Sequence, residues 1–293
     1  MTAFTGKVVL ITGGARGIGA EVARRLRARG AHLVLIDIDQ PPLRELAAEL
    51  GGDDHVVAVS ADVRDLGAME AAVARGIERF GGIDIVVANA GIASYGSVLG
   101  VDPAAFRRVI EVNLLGCFHT VRAALPSVIE RRGYVLIVSS LAAYMAMPGM
   151  VAYDASKAGV EHFANALRLE VAHRGVDVGS AHMSWIDTPL VREGFADLPA
   201  VTRALAELPN PLRKTTSVHE CAARFERGIA RRARRINVPA WVGVLRWLKP
   251  LLQTPFAERE GGRTTPTMLP EIDAEVTRLG RSLSARTQAL GED

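Results

Sequence analysis

Short apolar runs alternate with stretches of helical periodicity along the first two-thirds of the chain. The runs fall at residues 8–11, 33–36, 55–59, 83–88, 135–138 and 176–181 and predict strands. Helices are predicted between them. One follows a glycine turn and runs to Arg29, and others cover about 43–50, 68–80 and the stretch from Tyr153 to about His173. A further helix opens at Asp102-Pro103, an acidic cap followed by proline in the first turn. A crossover helix between successive strands makes the pairing parallel. Ligands then belong at the carboxyl ends of the strands, where Gly13, Asp37, Asn89, Ser140 and Ile186 all fall. The fold class expected is α/β: a doubly wound parallel sheet flanked by helices, one domain over 1–253 with a C-terminal extension over 254–293.

Beyond Thr188 the pattern changes. Residues 189–215 mix prolines, apolar residues and charges, which suits a mobile lid over a substrate pocket. Ser217-Val218-His219-Glu220 reads as a capping box opening another helix. A basic cluster, Arg231-Arg232-Ala233-Arg234-Arg235, precedes an apolar segment at 241–252 that carries Trp241 and Trp247. Such a segment suits either a helix packed on the core or between subunits, or a peripheral foot on a membrane surface. The extension is expected to be partly ordered, with one short helix around 272–283.

Composition narrows the classes. With 293 residues and 49% hydrophobic content, the chain can bury a substantial core. A net charge of +3 is too small to indicate nucleic acid, and the arginine cluster lacks interleaved aromatics. Cys117 and Cys221 have no paired spacing and form no His/Cys cluster, so neither a disulfide nor a metal site is expected. No charged segment followed by a long apolar one opens the chain, and no apolar stretch free of charges reaches bilayer length. A cytoplasmic protein is therefore expected.

Three features carry chemistry. In Tyr153-Asp154-Ala155-Ser156-Lys157 a tyrosine and a lysine stand at i and i+4, neighbours on a helix face, where the ammonium can favour the phenolate. After the first strand comes Thr12-Gly13-Gly14-Ala15-Arg16-Gly17-Ile18-Gly19. Its glycines suit a tight turn, close approach to a pyrophosphate and helix-on-strand packing, although the spacing is not Gly-x-Gly-x-x-Gly. Asp37 closes the second strand where a carboxylate takes adenosine ribose hydroxyls and repels a 2′-phosphate, which favours NAD; Arg16 within the turn leaves NADP open.

Taken together, these motifs resemble the short-chain dehydrogenase/reductase family from about Lys7 to Thr188. Thr12-Gly13-x-x-x-Gly17-x-Gly19 resembles the family's cofactor turn, Asp62-Val63 its adenine contact, and Asn89-Ala90-Gly91 the motif that steadies the central sheet. Asn113, Ser140, Tyr153 and Lys157 match its catalytic tetrad. The resemblance implies a Rossmann-like fold and cofactor contacts from Gly13, Arg16, Gly17, Ile18, Gly19, Asp37, Asp62, Val63, Asn89, Ala90, Gly91, Tyr153, Lys157, Ile186 and Thr188. One departure is Met183-Ser184, where relatives carry Pro-Gly. Ile186 and Thr188, the nicotinamide carboxamide contacts, still match. The resemblance implies hydride transfer between NAD(H) and a secondary alcohol or ketone. Tyr153 would carry the proton, Ser140 would bind the substrate oxygen, Lys157 would hold the nicotinamide ribose, and Asn113 would hold a water linking Lys157 to solvent. Tyr95, Leu141, Tyr144, Met145, Met147 and Met150 suggest an apolar pocket for a bulky steroid-, terpenoid- or lipid-like substrate. A same-fold epimerase or dehydratase and a non-enzymatic NAD sensor are the alternatives. Pairing through the Asn113 and Tyr153 helices implies a homodimer or homotetramer.

Overall fold

The protein, a computed structural model, is described over residues 3–208 and 210–290, so Pro209 of the expected lid and residues 291–293 of the extension lie outside the described residues. Seven strands form one parallel sheet: β1 (Val8–Thr12), β2 (His32–Asp37), β3 (Val56–Ser60), β4 (Ile85–Ala88), β5 (Tyr134–Val138), β6 (Asp177–Met183) and, after a short parallel pair of β7 (Ile186–Asp187) with β8 (Thr216–Ser217), β9 (Arg235–Val238). Their order is β3-β2-β1-β4-β5-β6-β9. The direction of winding reverses between β1 and β4, which opens a crevice at the carboxyl ends of those two strands.

Successive strand residues point to opposite faces, and both faces are covered, so the strand sequences are apolar throughout. Val9, Ile11, Leu33 and Leu35 pack under α1 (Gly17–Ala28), α2 (Gln40–Glu49) and α9 (Val218–Ala230). Val8, Leu10, Val34 and Ile36 pack under α3 (Leu66–Phe80), α5 (Gly116–Glu130) and α6 (Val151–Val171). Asp102 caps α4 (Pro103–Ile110) by accepting the Ala104 amide at 2.9 Å. Between α4 and α5 the helix widens into a π turn over Glu111–Leu115. The continuous helix Pro103–Glu130 is long and apolar enough to cross a membrane by length and composition, a property hidden in the sequence by its arginines. Here its inner face, with Cys117, Val121, Ala124 and Val128, lies against the sheet.

The region after β7 is more regular than its prolines suggest. Pro189 and Pro199 occupy first-turn positions of α7 (Pro189–Asp197) and α8 (Pro199–Glu207), where a missing N–H costs nothing. After β9 come α10 (Val242–Leu252), α11 (Pro255–Gly261), α12 (Thr265–Leu279) and α13 (Ala285–Ala289). The extension thus holds three helices where periodicity predicts one. Ile272 and Val276 of α12 are buried against Tyr95, Leu198 and Ala200. The arginine cluster precedes β9 and α10 follows it, so the basic and the apolar segments sit at opposite ends of that strand. Trp247, at 73% exposure, lies on the outer face of α10 under the Arg246 guanidinium, 4.5 Å away.

Candidate active site

The β1–α1 turn fits a dinucleotide by its own packing. Gly13 has φ +63°, and a Cβ there would lie 2.9 Å from Asn89 Nδ2; one at Gly19 would lie 2.1 Å from the Gly13 carbonyl oxygen. Gly17, at φ +54°, faces Thr188. Asn89 ties the turn to β4: its side-chain amide donates to the carbonyls of Thr12 (3.0 Å) and Gly13 (3.1 Å). Arg16 stands at the cap position of α1 without a side-chain bond to the helix start, which leaves the first-turn amides for an anion.

These residues open into a cleft of about 290 Å³ lined by Gly13, Arg16, Gly17, Ile18, Asp37, Asp62, Val63, Asn89, Ala90, Gly91, Tyr153, Lys157 and Thr188, all named from sequence. Of the cofactor contacts named from sequence, two do not line it. Gly19 is a packing position beneath the turn, and the Ile186 side chain is buried in the core under the sheet. At the far end, Asp37 accepts the amides of Ala15 and Asp39, each at 3.0 Å. Burial nevertheless raises its pKa, against those two bonds. Burial also opposes charge on Asp62, but the guanidinium and amide of Arg64 outweigh it and hold that carboxyl below its usual range.

Tyr153 and Lys157 lie one turn apart on α6 and reach the near end of the cleft. Lys157 is buried, and its ammonium donates to the Val138 carbonyl at 3.1 Å. Burial lowers its pKa to about 8. The ammonium sits 5.5 Å from the Tyr153 ring centre. Contrary to the electrostatic expectation from sequence, the phenol lies above its ordinary pKa: burial raises it, and the bond to Ser140 opposes only part of the rise. Ser140 closes β5 as the cap of a short turn, its Oγ accepting the Ala142 amide at 3.2 Å, so the hydroxyl hydrogen is left to donate.

Asn113, within the π turn, has its side chain braced by three hydrogen bonds. Its Nδ2 donates to the Ile92 carbonyl and to Ser156 Oγ, both at 2.9 Å, and its Oδ1 accepts the Ile92 amide at 2.8 Å. The side chain therefore ties the strand-end loop to α6, and its two amide hydrogens are committed. Six supporting residues escaped the sequence reading: Ser156, Val138 through its carbonyl, Ser139 and, from the far end of the chain, Arg286, Thr287 and Leu290 on the cleft wall. Ser156 alone carried a signal, its place between Tyr153 and Lys157.

On the other side of Tyr153 is a second chamber of about 80 Å³, walled chiefly by Leu141, Met147, Met150, Met183, Trp185 and Phe195. Among the described residues no charged side chain lines it. Helix α7, in the segment expected to form a lid, is pressed close, since a Cβ at Gly194 would fall 2.4 Å from Tyr95 Oη. The Met183-Ser184 departure leaves the loop path regular: the Ser184 amide donates to the Val238 carbonyl at 2.9 Å, and Thr188 caps α7. Tyr144 and Met145 lie elsewhere, packed with Val242 at the root of α10. Among the described residues no group of three His, Cys, Asp or Glu side chains is placed to hold a metal ion.

A seven-stranded parallel sheet with its switch point at the glycine turn, and a Ser-Tyr-Lys set beside it, defines a nucleotide-dependent oxidoreductase. Residues 7–199 match the family model for short chain dehydrogenases, and the chain belongs to that family. It is 34% identical over 266 residues to an uncharacterized oxidoreductase of Mycobacterium tuberculosis, covering 81% of this chain and 96% of the relative. Over 216 residues it is 34% identical to the trans-4-hydroxycyclohexanecarboxylate dehydrogenase of Sinomonas cyclohexanicum, covering 69% and 83% of the two chains. The crystal structure of a 3-ketoacyl-(acyl-carrier-protein) reductase from Brucella melitensis complexed with NADH superposes with a TM-score of 0.70 at 27% identity, covering 80% of this chain and 97% of that one.

Proposed function

We propose that the protein oxidises and reduces an uncharged, hydrophobic secondary alcohol and its ketone with NAD(H). The observation that carries this reading is the position of Tyr153: it lines both the cofactor cleft and the uncharged chamber. The nicotinamide, held by the glycine turn, Asn89–Gly91 and Thr188, supplies the hydride acceptor or donor. The phenol oxygen of Tyr153 takes the alcohol proton in oxidation and returns it in reduction. Ser140 Oγ donates to the substrate oxygen where negative charge develops. Lys157, with its pKa lowered to about 8 by burial, exchanges that proton onward and meets the nicotinamide ribose. Asp37 supports NAD over NADP, because its carboxylate repels a 2′-phosphate.

The chamber supports a narrower substrate class. At about 80 Å³ it suits a compact ring, and a steroid or long-chain skeleton enters only if α7 and α8 move outward. The hydroxycyclohexanecarboxylate relative supports a ring alcohol, but the carboxylate in that relative's name would find no cation on this chamber wall. Stranding a carboxylate there costs more than the ring recovers. NADH appearance with neutral ring alcohols should therefore exceed that with 4-hydroxycyclohexanecarboxylate by about tenfold or more in kcat/KM. A preference for the carboxylate would defeat the assignment of substrate class.

A further inference from the structure

The last described residues do not trail away from the fold. Gly280, at φ +63°, ends α12 in a left-handed turn that sends the chain back across the mouth of the active site. Arg281 grips Asp197 of the lid helix α7 in a two-pronged pair, both contacts 2.7 Å. Ser282 is knitted to the loop after β4: its carbonyl accepts the Tyr95 amide at 2.8 Å, and its hydroxyl accepts the Asp102 amide at 3.0 Å. Leu283 bridges to Ser94. Ser284 then caps α13, and Arg286 pairs with Asp39, just past the end of β2. Asp39 also takes Arg16 of the glycine turn at 3.1 Å.

Two ends of the site are thus joined by the four residues between Arg281 and Arg286. Arg281 holds the cover of the substrate chamber, while Arg286, Thr287 and Leu290 form the outer wall of the cleft on the adenosine side. The pairs are sheltered: side-chain exposures are 17% and 17% for Arg281 and Asp197, and 28% and 12% for Arg286 and Asp39. Sheltered, two-pronged pairs hold better than exposed ones.

We propose that residues 281–290 are a strap across the cofactor cleft, so that release of the dinucleotide requires Arg286 to leave Asp39 and is coupled through Arg281 to opening of the α7 lid. Arg286 is by this account a cofactor-retaining residue contributed by the far end of the chain. The inference rests on the cofactor reading above. The strap lifts as one piece, so the contacts of Ser282 and Leu283 with the loop after β4 must come away together with both pairs.

The test is the dissociation rate of bound NADH, or of NADPH if only that nucleotide titrates with one site per chain, followed by fluorescence on mixing with excess oxidised nucleotide. Arg286→Ala and Arg281→Ala should each release it about fivefold faster or more, since each removes one sheltered pair. Arg286→Lys, which retains the charge, should stay within about twofold of the parent. The double alanine variant should be only about as fast as the faster single, the signature of two residues acting through one element. Circular dichroism checks that each variant is folded. If folded Arg286→Ala releases the nucleotide at the parental rate, or the double variant shows the product of the two single effects, the strap is refuted while the cofactor reading stands. If neither nucleotide binds the parent, both fall.

Discussion

Asp154 stands one residue past Tyr153, the proposed proton carrier, and burial moves its carboxyl away from the ordinary aspartate range. Its Oδ2 accepts the Met147 amide at 2.7 Å, while its buried Oδ1 has no hydrogen-bond partner. Burial pushes the pKa from 3.8 to about 7, with the Met147 amide opposing. The folded state therefore keeps a proton that the unfolded chain has already lost between about pH 4 and about pH 7, and stability present below that window is given up as pH rises through it. Asp154→Asn keeps the acceptor for Met147 and removes the titration. Its melting temperature should be flatter than the parent's across that window; parallel curves would contradict the assignment. At this scale the sequence was legible where chemistry demands a spacing. Tyr153 and Lys157 at i and i+4, and Ser140 at a strand end, are of that kind. It was mute where a group matters for what surrounds it: the Val138 carbonyl that holds Lys157, or the Ser139 hydroxyl that donates to the Lys157 carbonyl, has no signature of its own.

The β1–α1 turn shows what an element asks of its residues. Gly19 matters by how closely it passes the Gly13 carbonyl, and any side chain there must displace the turn that receives the dinucleotide. Gly19→Ala should lower stability by about 1–3 kcal/mol through overpacking and weaken nucleotide binding as well. Gly14→Ala places its Cβ 3.2 Å from the Ile11 carbonyl oxygen and should cost less. Urea unfolding of the two variants measures both, and equal midpoints would overturn this view of the turn. The strands were legible because continuous apolar runs have few other homes. The lid and the extension were harder. Pro189 and Pro199 look like helix breakers until their first-turn positions are known, and the π turn at Asn113 leaves no trace in periodicity.

Over the whole molecule, the parallel sheet delivers groups from the ends of six strands to one crevice, and the extension returns to close it. The sheet was readable from local pattern because each strand and its crossover helix are adjacent in sequence. The return was not, since Arg286 and Asp39 stand 247 residues apart and only the folded chain brings them together. Even so, Tyr153 lines both cavities, and the proposed function puts the nucleotide on one side of it and the substrate on the other. That division makes one substitution decisive. Tyr153→Phe removes the phenol oxygen from the junction and leaves the glycine turn, Asp37 and Lys157 in place. Turnover, read as NADH absorbance with the best neutral alcohol, should fall by about a thousandfold or more, while NADH binds with an unchanged Kd. Turnover near the parent's in a folded, NADH-binding variant would contradict the account at its centre.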